Sequence, residues 1–138
     1  MKWDDINEED IKIYEGFVYL IVNKLNNKKY IGQKKFYSTT KKPPLKGRIN
    51  KRICKKLVDW KNYWGSNKEL KNDIKKHGVN NFEKFILHLC KRKSQMNYLE
   101  MQEQILNNVL LKPDEYYNSI IQVRISRNQL NFNDFIYK

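Results

Sequence analysis

Two tyrosines, Tyr19 and Tyr30, stand eleven positions apart in short apolar runs that read GFVYLIV and KKYIG. A phenol has a reference pKa of about 10, too high for a free general base at neutral pH. Cations beside it favour the phenolate and make it a credible proton acceptor. The sequence supplies such cations. Residues 34–61 carry Lys34, Lys35, Lys41, Lys42, Lys46, Arg48, Lys51, Arg52, Lys55, Lys56 and Lys61, and only Asp59 opposes these eleven. A solvated face would mix signs more evenly, so the run reads as a surface that tracks phosphates. The whole chain agrees, with 28 Lys and Arg against 15 acids, a formal charge of +13. That balance points to a polyanionic partner, of which nucleic acid is the commonest.

The elements that must position these groups follow from the same rows. GFVYLIVNK (16–24) is β-branched and aromatic, hence a strand. LNNK reads as a turn, because Asn tolerates positive φ, and KKYIGQK (28–34) pairs back antiparallel. Alternation places Phe17, Tyr19 and Ile21 on one side of their strand, and Tyr30, Gly32 and Lys34 together on theirs. Gly32 inside a strand implies close approach of backbone or ligand. Residues 37–50, with Pro43, Pro44 and Gly47, read as a loop, and 51–60 as a short basic helix. Ser66 with Glu69 forms a capping box for a helix with Leu70 and Ile74 inward and Gly78 at its end. FEKFILHLC (82–90) is a third strand. Ser94 opens a helix over 95–110, with Leu99, Leu106 and Leu110 on one face. Glu100 then lies at the edge of the apolar stripe, Glu103 on the other side of Leu99, and Gln104 one turn beyond Glu100. KPDEYYN is a turn, and the tail (121–138) reads as one more strand and a coil. The fold class expected is α/β (α+β): a small three-stranded antiparallel sheet flanked by helices, in one domain over 1–138 with its core at about 16–120 and an acidic lead-in over 1–15.

Other classes are excluded or left without support. Hydrophobic residues are 40% of the chain, enough for a real core. No apolar run approaches a membrane span, and MKWDDINEED is too acidic for a secretory signal, so no membrane partner and a cytoplasmic location are expected. Cys54 and Cys90 have no metal or disulfide spacing and read as reduced thiols. His77 and His88 lack zinc spacing; His77 suits the negative end of a helix.

The order of hairpin, basic segment, capped helix, strand and helix resembles the GIY-YIG nuclease family. GFVY (16–19) resembles the first signature with one extra residue, and YIG (30–32) matches the second letter for letter. KKHGVNNFEKFIL (75–87) resembles the helix-to-strand stretch, YLEMQEQIL (98–106) the helix with the metal-binding glutamate, and YYN (116–118) the late asparagine motif. The basic YIGQKK and YWGS segments look most like free-standing bacteriophage homing endonucleases. The resemblance implies a divalent-metal-dependent DNA endonuclease that uses Mg²⁺ or Mn²⁺ on double-stranded DNA, as a monomer or DNA-induced dimer. It implies Tyr19 and Tyr30 as catalytic phenols, Glu100 rather than Glu103 as the metal ligand, and Asn118 as a group near the ion or a brace for the Tyr19 strand, with an ordinary turn asparagine as the alternative for Asn118. The DNA contacts it implies are Gly32, Lys34, Lys35, Lys41, Lys42, Lys46, Arg48, Lys51 and Arg52.

The chain departs from the family at two places. Thr40 stands where members carry an arginine; Lys34, Lys35, Arg48 and Arg52 are the candidate replacements, with Lys35 and Arg48 favoured. The family histidine falls near Tyr63–Gly65, where Tyr63 either supplies another phenol or packs beside Trp60 and Trp64. A non-catalytic basic nucleic-acid-binding module is the alternative reading.

Overall fold

The computed structural model describes residues 1–50, 52–121 and 129–135, with side chains for all of these except residues 52, 53 and 132. Lys51 and most of the expected tail strand lie outside the described residues. The elements in chain order are β1 (Gly16–Asn23), β2 (Lys29–Lys35), β3 (Tyr37–Lys42), β4 (Arg52–Leu57), α1 (Lys68–His77), β5 (Phe82–Cys90) and α2 (Lys93–Leu106). Short 3₁₀ turns cover Trp3–Asp5, Val79–Asn81 and Phe132–Phe135.

The architecture is α+β, as expected. One antiparallel sheet has the order β2-β1-β5. β1 is the middle strand, and its burial is nearly continuous because both faces are covered. On one face Phe17, Tyr19 and Ile21 pack with Trp3, Phe36, Trp60, Leu70, Phe82 and Ile86. On the other, Val18 and Ile31 meet Met96 and Leu99 of α2, together with Val109 and Tyr116. α1 thus docks through Leu70 on the tyrosine face, and α2 on the opposite one. Full burial of one such leucine is worth roughly 1.5–3 kcal/mol.

Both borders of this sheet carry extra chain. Ile86 N–H of β5 donates to the Met1 carbonyl, 2.8 Å, beside a bridge between Lys2 and Phe85. Along β2, Lys29 N–H donates to Glu115 O (2.8 Å) and Tyr117 N–H to Lys29 O (2.7 Å).

Four local expectations are corrected. Residues 37–42 and 52–57 are neither loop nor helix but a two-stranded antiparallel ribbon, β3–β4, with Tyr37 opposite Leu57 and Lys42 opposite Arg52. Tyr37, Thr39 and Thr40 favour strand over helix, and the prolines fall in the connecting loop. The α1 cap is Asn67, whose side chain accepts from Leu70 N–H at 2.9 Å, not Ser66. Ser66 is engaged elsewhere, as described below. Gly78 ends α1 as expected, at φ 84°. α2 begins at Lys93, after Arg92, with Ser94 inside it. It ends at Leu106; the chain turns at Asn108 (φ 54°), and Val109 takes the buried place expected of Leu106 and Leu110, which are exposed.

Candidate active site

The hairpin register sets the tyrosines side by side. Tyr19 faces Gly32, and Ile21 faces Tyr30, so Tyr19, Tyr30 and Gly32 share one face. The ring centroids of Tyr19 and Tyr30 are 6.1 Å apart. Gly32 makes this possible: a Cβ there would lie 2.5 Å from the Tyr19 hydroxyl oxygen, 2.7 Å from its Cζ and 2.9 Å from Tyr30 Cε1. Tyr63 stands edge-on to Tyr19 at 6.1 Å and hydrogen-bonds its hydroxyl. Tyr63 therefore joins the phenol cluster. Gly65, at φ 85°, follows it in a conformation that side chains rarely adopt, and its missing Cβ spares both tyrosine rings. Ser66, two residues after Trp64, gives its hydroxyl to Tyr30 and so is not free to cap α1.

The electrostatics of the cluster differ from the sequence reading. Tyr19 is only 1% exposed, so burial holds its phenol well above 10, and the neighbouring Tyr30, Tyr63 and Glu100 add to the effect. Burial also raises Tyr30, against hydrogen bonds from Ser66 and Tyr19 that lower it. The expected lowering by lysines does not occur. The Lys34 ammonium lies 4.3 Å over the Tyr63 ring, on the π-face. Tyr19 and Tyr30 thus serve as hydrogen-bonding groups rather than phenolates, and Tyr19, sealed by Trp3 and Phe17, positions the other two.

Glu100 comes from α2, on the far face of the sheet, and still reaches the cluster: its charge is felt at both Tyr19 and Tyr30. Gln104 fixes it. The Gln104 amide donates to Glu100 Oε1 at 3.1 Å and to the Ile31 carbonyl of β2, also at 3.1 Å. Burial raises the Glu100 pKa, opposed by the Gln104 hydrogen bond, by Lys93 and by Gln33. Its Oε2 is buried without a hydrogen-bond partner, and so is Gln33 Oε1. Glu103, the rival acid, is instead paired with His88 at 2.8 Å. Unpartnered buried oxygens are the donors that a hard divalent cation takes. Among the described residues no three His, Cys, Asp or Glu gather into a ligand cluster, so such an ion would lean on a single carboxylate.

Beside this group lies a cleft of about 320 Å³ lined by Gln33, Lys34, Lys35, Tyr63 and Lys93, among others. Burial lowers the Lys93 pKa, and Lys35 lowers it further, while Glu100 and Glu15 hold it up. Lys35 is thus at the cleft. Arg48 is not: it is exposed in the β3–β4 loop, with Lys46. Lys41 and Lys42 are exposed on β3. Asn118 is 7% exposed and braces β2, not the Tyr19 strand. Its Oδ1 accepts from Ile31 N–H (3.0 Å) and its amide donates to Ile31 O (2.8 Å). Sequence reasoning missed Gln33, Ser66, Lys93 and Gln104 as part of the site. For Lys93 a signal existed, since it lies two helical turns before Glu100 on the same face. Gln33 and Ser66 carried none.

The site of this α+β domain is thus a pair of phenols against a strand glycine, with a half-buried glutamate from a helix across the sheet. The family model described as "Putative endonuclease segE, GIY-YIG domain" matches residues 1–121, and the chain belongs to this GIY-YIG family. It is also similar to "Putative endonuclease segE" of Enterobacteria phage T4, at 35% identity over 102 residues. That match covers 74% of this chain and 39% of the phage protein, so the chain spans well under half of that relative's length. No solved structure matches it.

Proposed function

We propose that this chain is a divalent-metal-dependent endonuclease that hydrolyses phosphodiester bonds in double-stranded DNA, of homing type. The observation that carries the reading is Glu100: a half-buried carboxylate with one buried, unpartnered oxygen, whose charge acts on Tyr19 and Tyr30 and which interacts with Gln33 and Lys93 of the lysine-lined cleft. A pure DNA binder has no use for a carboxylate there, because it repels phosphate.

Glu100 and Gln33 would hold the ion, Mg²⁺ or Mn²⁺. When bound it supplies charge neutralisation at the phosphate and polarises a coordinated oxygen. Lys34, Lys35 and Lys93 clamp the phosphate. Tyr30 and Tyr63, both partly exposed, donate hydrogen bonds to its oxygens. Tyr19 is a positioning residue through its bond to Tyr63. Lys35 and Lys93 take the place of the family arginine. Among the described residues no helix is long and apolar enough to cross a membrane. The phage relative supports action in host cytoplasm, as a monomer or a DNA-induced dimer.

The test is nicking of supercoiled plasmid in Mg²⁺ or Mn²⁺ by wild type, Glu100→Ala and Tyr30→Phe. Cutting is expected to vanish in the first and fall in the second, with gel shift retained. Cutting undiminished in both removes the site assignment. A gel shift without cutting by wild type in either metal favours the binding-module reading.

A further inference from the structure

The β3–β4 ribbon meets the site only at its root, where Tyr37 and Ser38 help line the lysine cleft; the rest of it has no role there. It leaves the core abruptly. Phe36, completely buried, separates β2 from β3, and Val58 N–H closes the far strand onto the Phe36 carbonyl at 2.9 Å. Beyond that anchor the ribbon projects with little apolar surface to bury. Ser38, Thr39, Thr40, Lys41 and Lys42 are all exposed, as are Lys55 and Lys56. A two-stranded ribbon with so little apolar surface buried beyond its root is marginal in water. Selection for folding stability alone gives no reason for it.

Its two sides differ. Cross-strand pairing puts Tyr37, Thr39, Lys41, Lys55 and Leu57 on one side, and Ser38, Thr40, Lys42 and Lys56 on the other. The first side is turned to the domain: Tyr37 packs against the core, and Lys55 is within 3.6 Å of the Glu15 carboxylate. The second side holds two short hydroxyls, which can reach base edges, and two lysines, which suit flanking phosphates. Six residues per strand give a ribbon of about 20 Å. The major groove of B-DNA is about 12 Å wide and admits a two-stranded ribbon.

We propose that the β3–β4 ribbon lies in the major groove of duplex DNA and reads sequence through its Ser38–Thr40–Lys42–Lys56 side. This rests on the DNA-cutting reading for its ligand class, but not on catalysis. The ribbon follows β2 after a single residue, and its root lines the lysine cleft, so bases read there lie a short, fixed distance from a phosphate held in that cleft. Phosphate contacts alone give affinity without sequence choice, and the ribbon supplies the choice.

The experiment uses the full chain with Glu100→Ala, so binding is read without cutting. Methylation of guanine N7, a major-groove atom, is footprinted on sites recovered from a random duplex pool. N7 protection at fixed positions is expected. Ser38→Ala with Thr40→Ala should erase it, and Thr39→Ala, on the other side, should leave it. Lys42→Ser with Lys56→Ser should lower the slope of log affinity against log salt by roughly 1.8, about 0.9 per phosphate. Circular dichroism confirms that these surface variants fold. N7 that stays reactive throughout a bound site, protection unmoved by the ribbon substitutions, displacement by a minor-groove ligand, or no duplex binding at all overturns the proposal. Duplex footprints combined with a wild type that never cuts leave the ribbon standing and sink the nuclease reading.

Discussion

Replacing Gly32 by alanine tests the reason for a glycine between the two tyrosines. The new methyl would sit 2.5 Å from the Tyr19 oxygen, 2.7 Å from Tyr19 Cζ and 2.9 Å from Tyr30 Cε1. All three distances are below ordinary contact. Tyr19 cannot swing away, because Trp3 (5.2 Å), Phe17 (5.9 Å) and Tyr63 (6.1 Å) hold its ring on other sides. Overpacking of this kind costs about 1–3 kcal/mol, and three hard contacts argue for the upper end. The unfolded-state gain of a Gly→Ala change offsets about 0.4–1 kcal/mol. The net expectation is a loss of about 2 kcal/mol, a fall in Tm of roughly 5–10 °C for a domain of this size, read by urea and thermal melts. Tyr19→Phe in the Gly32→Ala background removes the closest of the three atoms, so the pair should show a favourable coupling in a double-mutant cycle. A Gly32→Ala protein that melts with the wild type, or shows no coupling to Tyr19, refutes the close-approach argument.

Glu100→Gln should abolish nicking yet melt at or above the wild-type temperature at pH 7. Burial raises the folded-state pKa of Glu100, so its contribution is stabilising below the unfolded value of about 4.3 and is lost as pH rises through the folded one. The advantage of the variant should therefore shrink as pH is lowered toward 4. Asn118→Ala strands the Ile31 N–H, while the Ile31 carbonyl keeps the Gln104 amide, and should cost about 1–3 kcal/mol in a urea melt for the one unsatisfied donor; a melt within about 0.5 kcal/mol would contradict the brace. Tyr19, Tyr30 and Tyr117 have raised phenols. Their stabilisation is complete below about pH 10 and is lost above it, so alkaline unfolding should coincide with a late, steep rise in tyrosinate absorbance. Because the chain has nine tyrosines, the late step is assigned by substitution: a late step left unchanged by Tyr19→Phe and Tyr30→Phe would show those rings to be accessible.

How much of this was legible in the sequence follows the kind of signal each residue carries. The sheet strands and the same-face placement of Tyr19, Tyr30 and Gly32 were legible because period-two alternation and an Asn-rich turn are local. Gly78 was legible as a stop for the same reason. The ribbon was not: residues 37–57 read as charge and proline, and what decides their form is pairing between segments that share no local pattern. The cap at Ser66 was misread because a tertiary partner, Tyr30, competes for its hydroxyl. The depth of Tyr19 was also hidden. Alternation gives the face of a residue but not the layers stacked over it, and those layers turned an expected fall in phenol pKa into a rise.

The late Glu115–Asn118 segment has a consequence for how the chain must be made. Ile31 waits for a partner 87 positions downstream. During synthesis the β2 border is complete in every other respect while still bare, an open template for a neighbouring strand. A product cut short before Glu115 should therefore clump with its own kind rather than simply melt early.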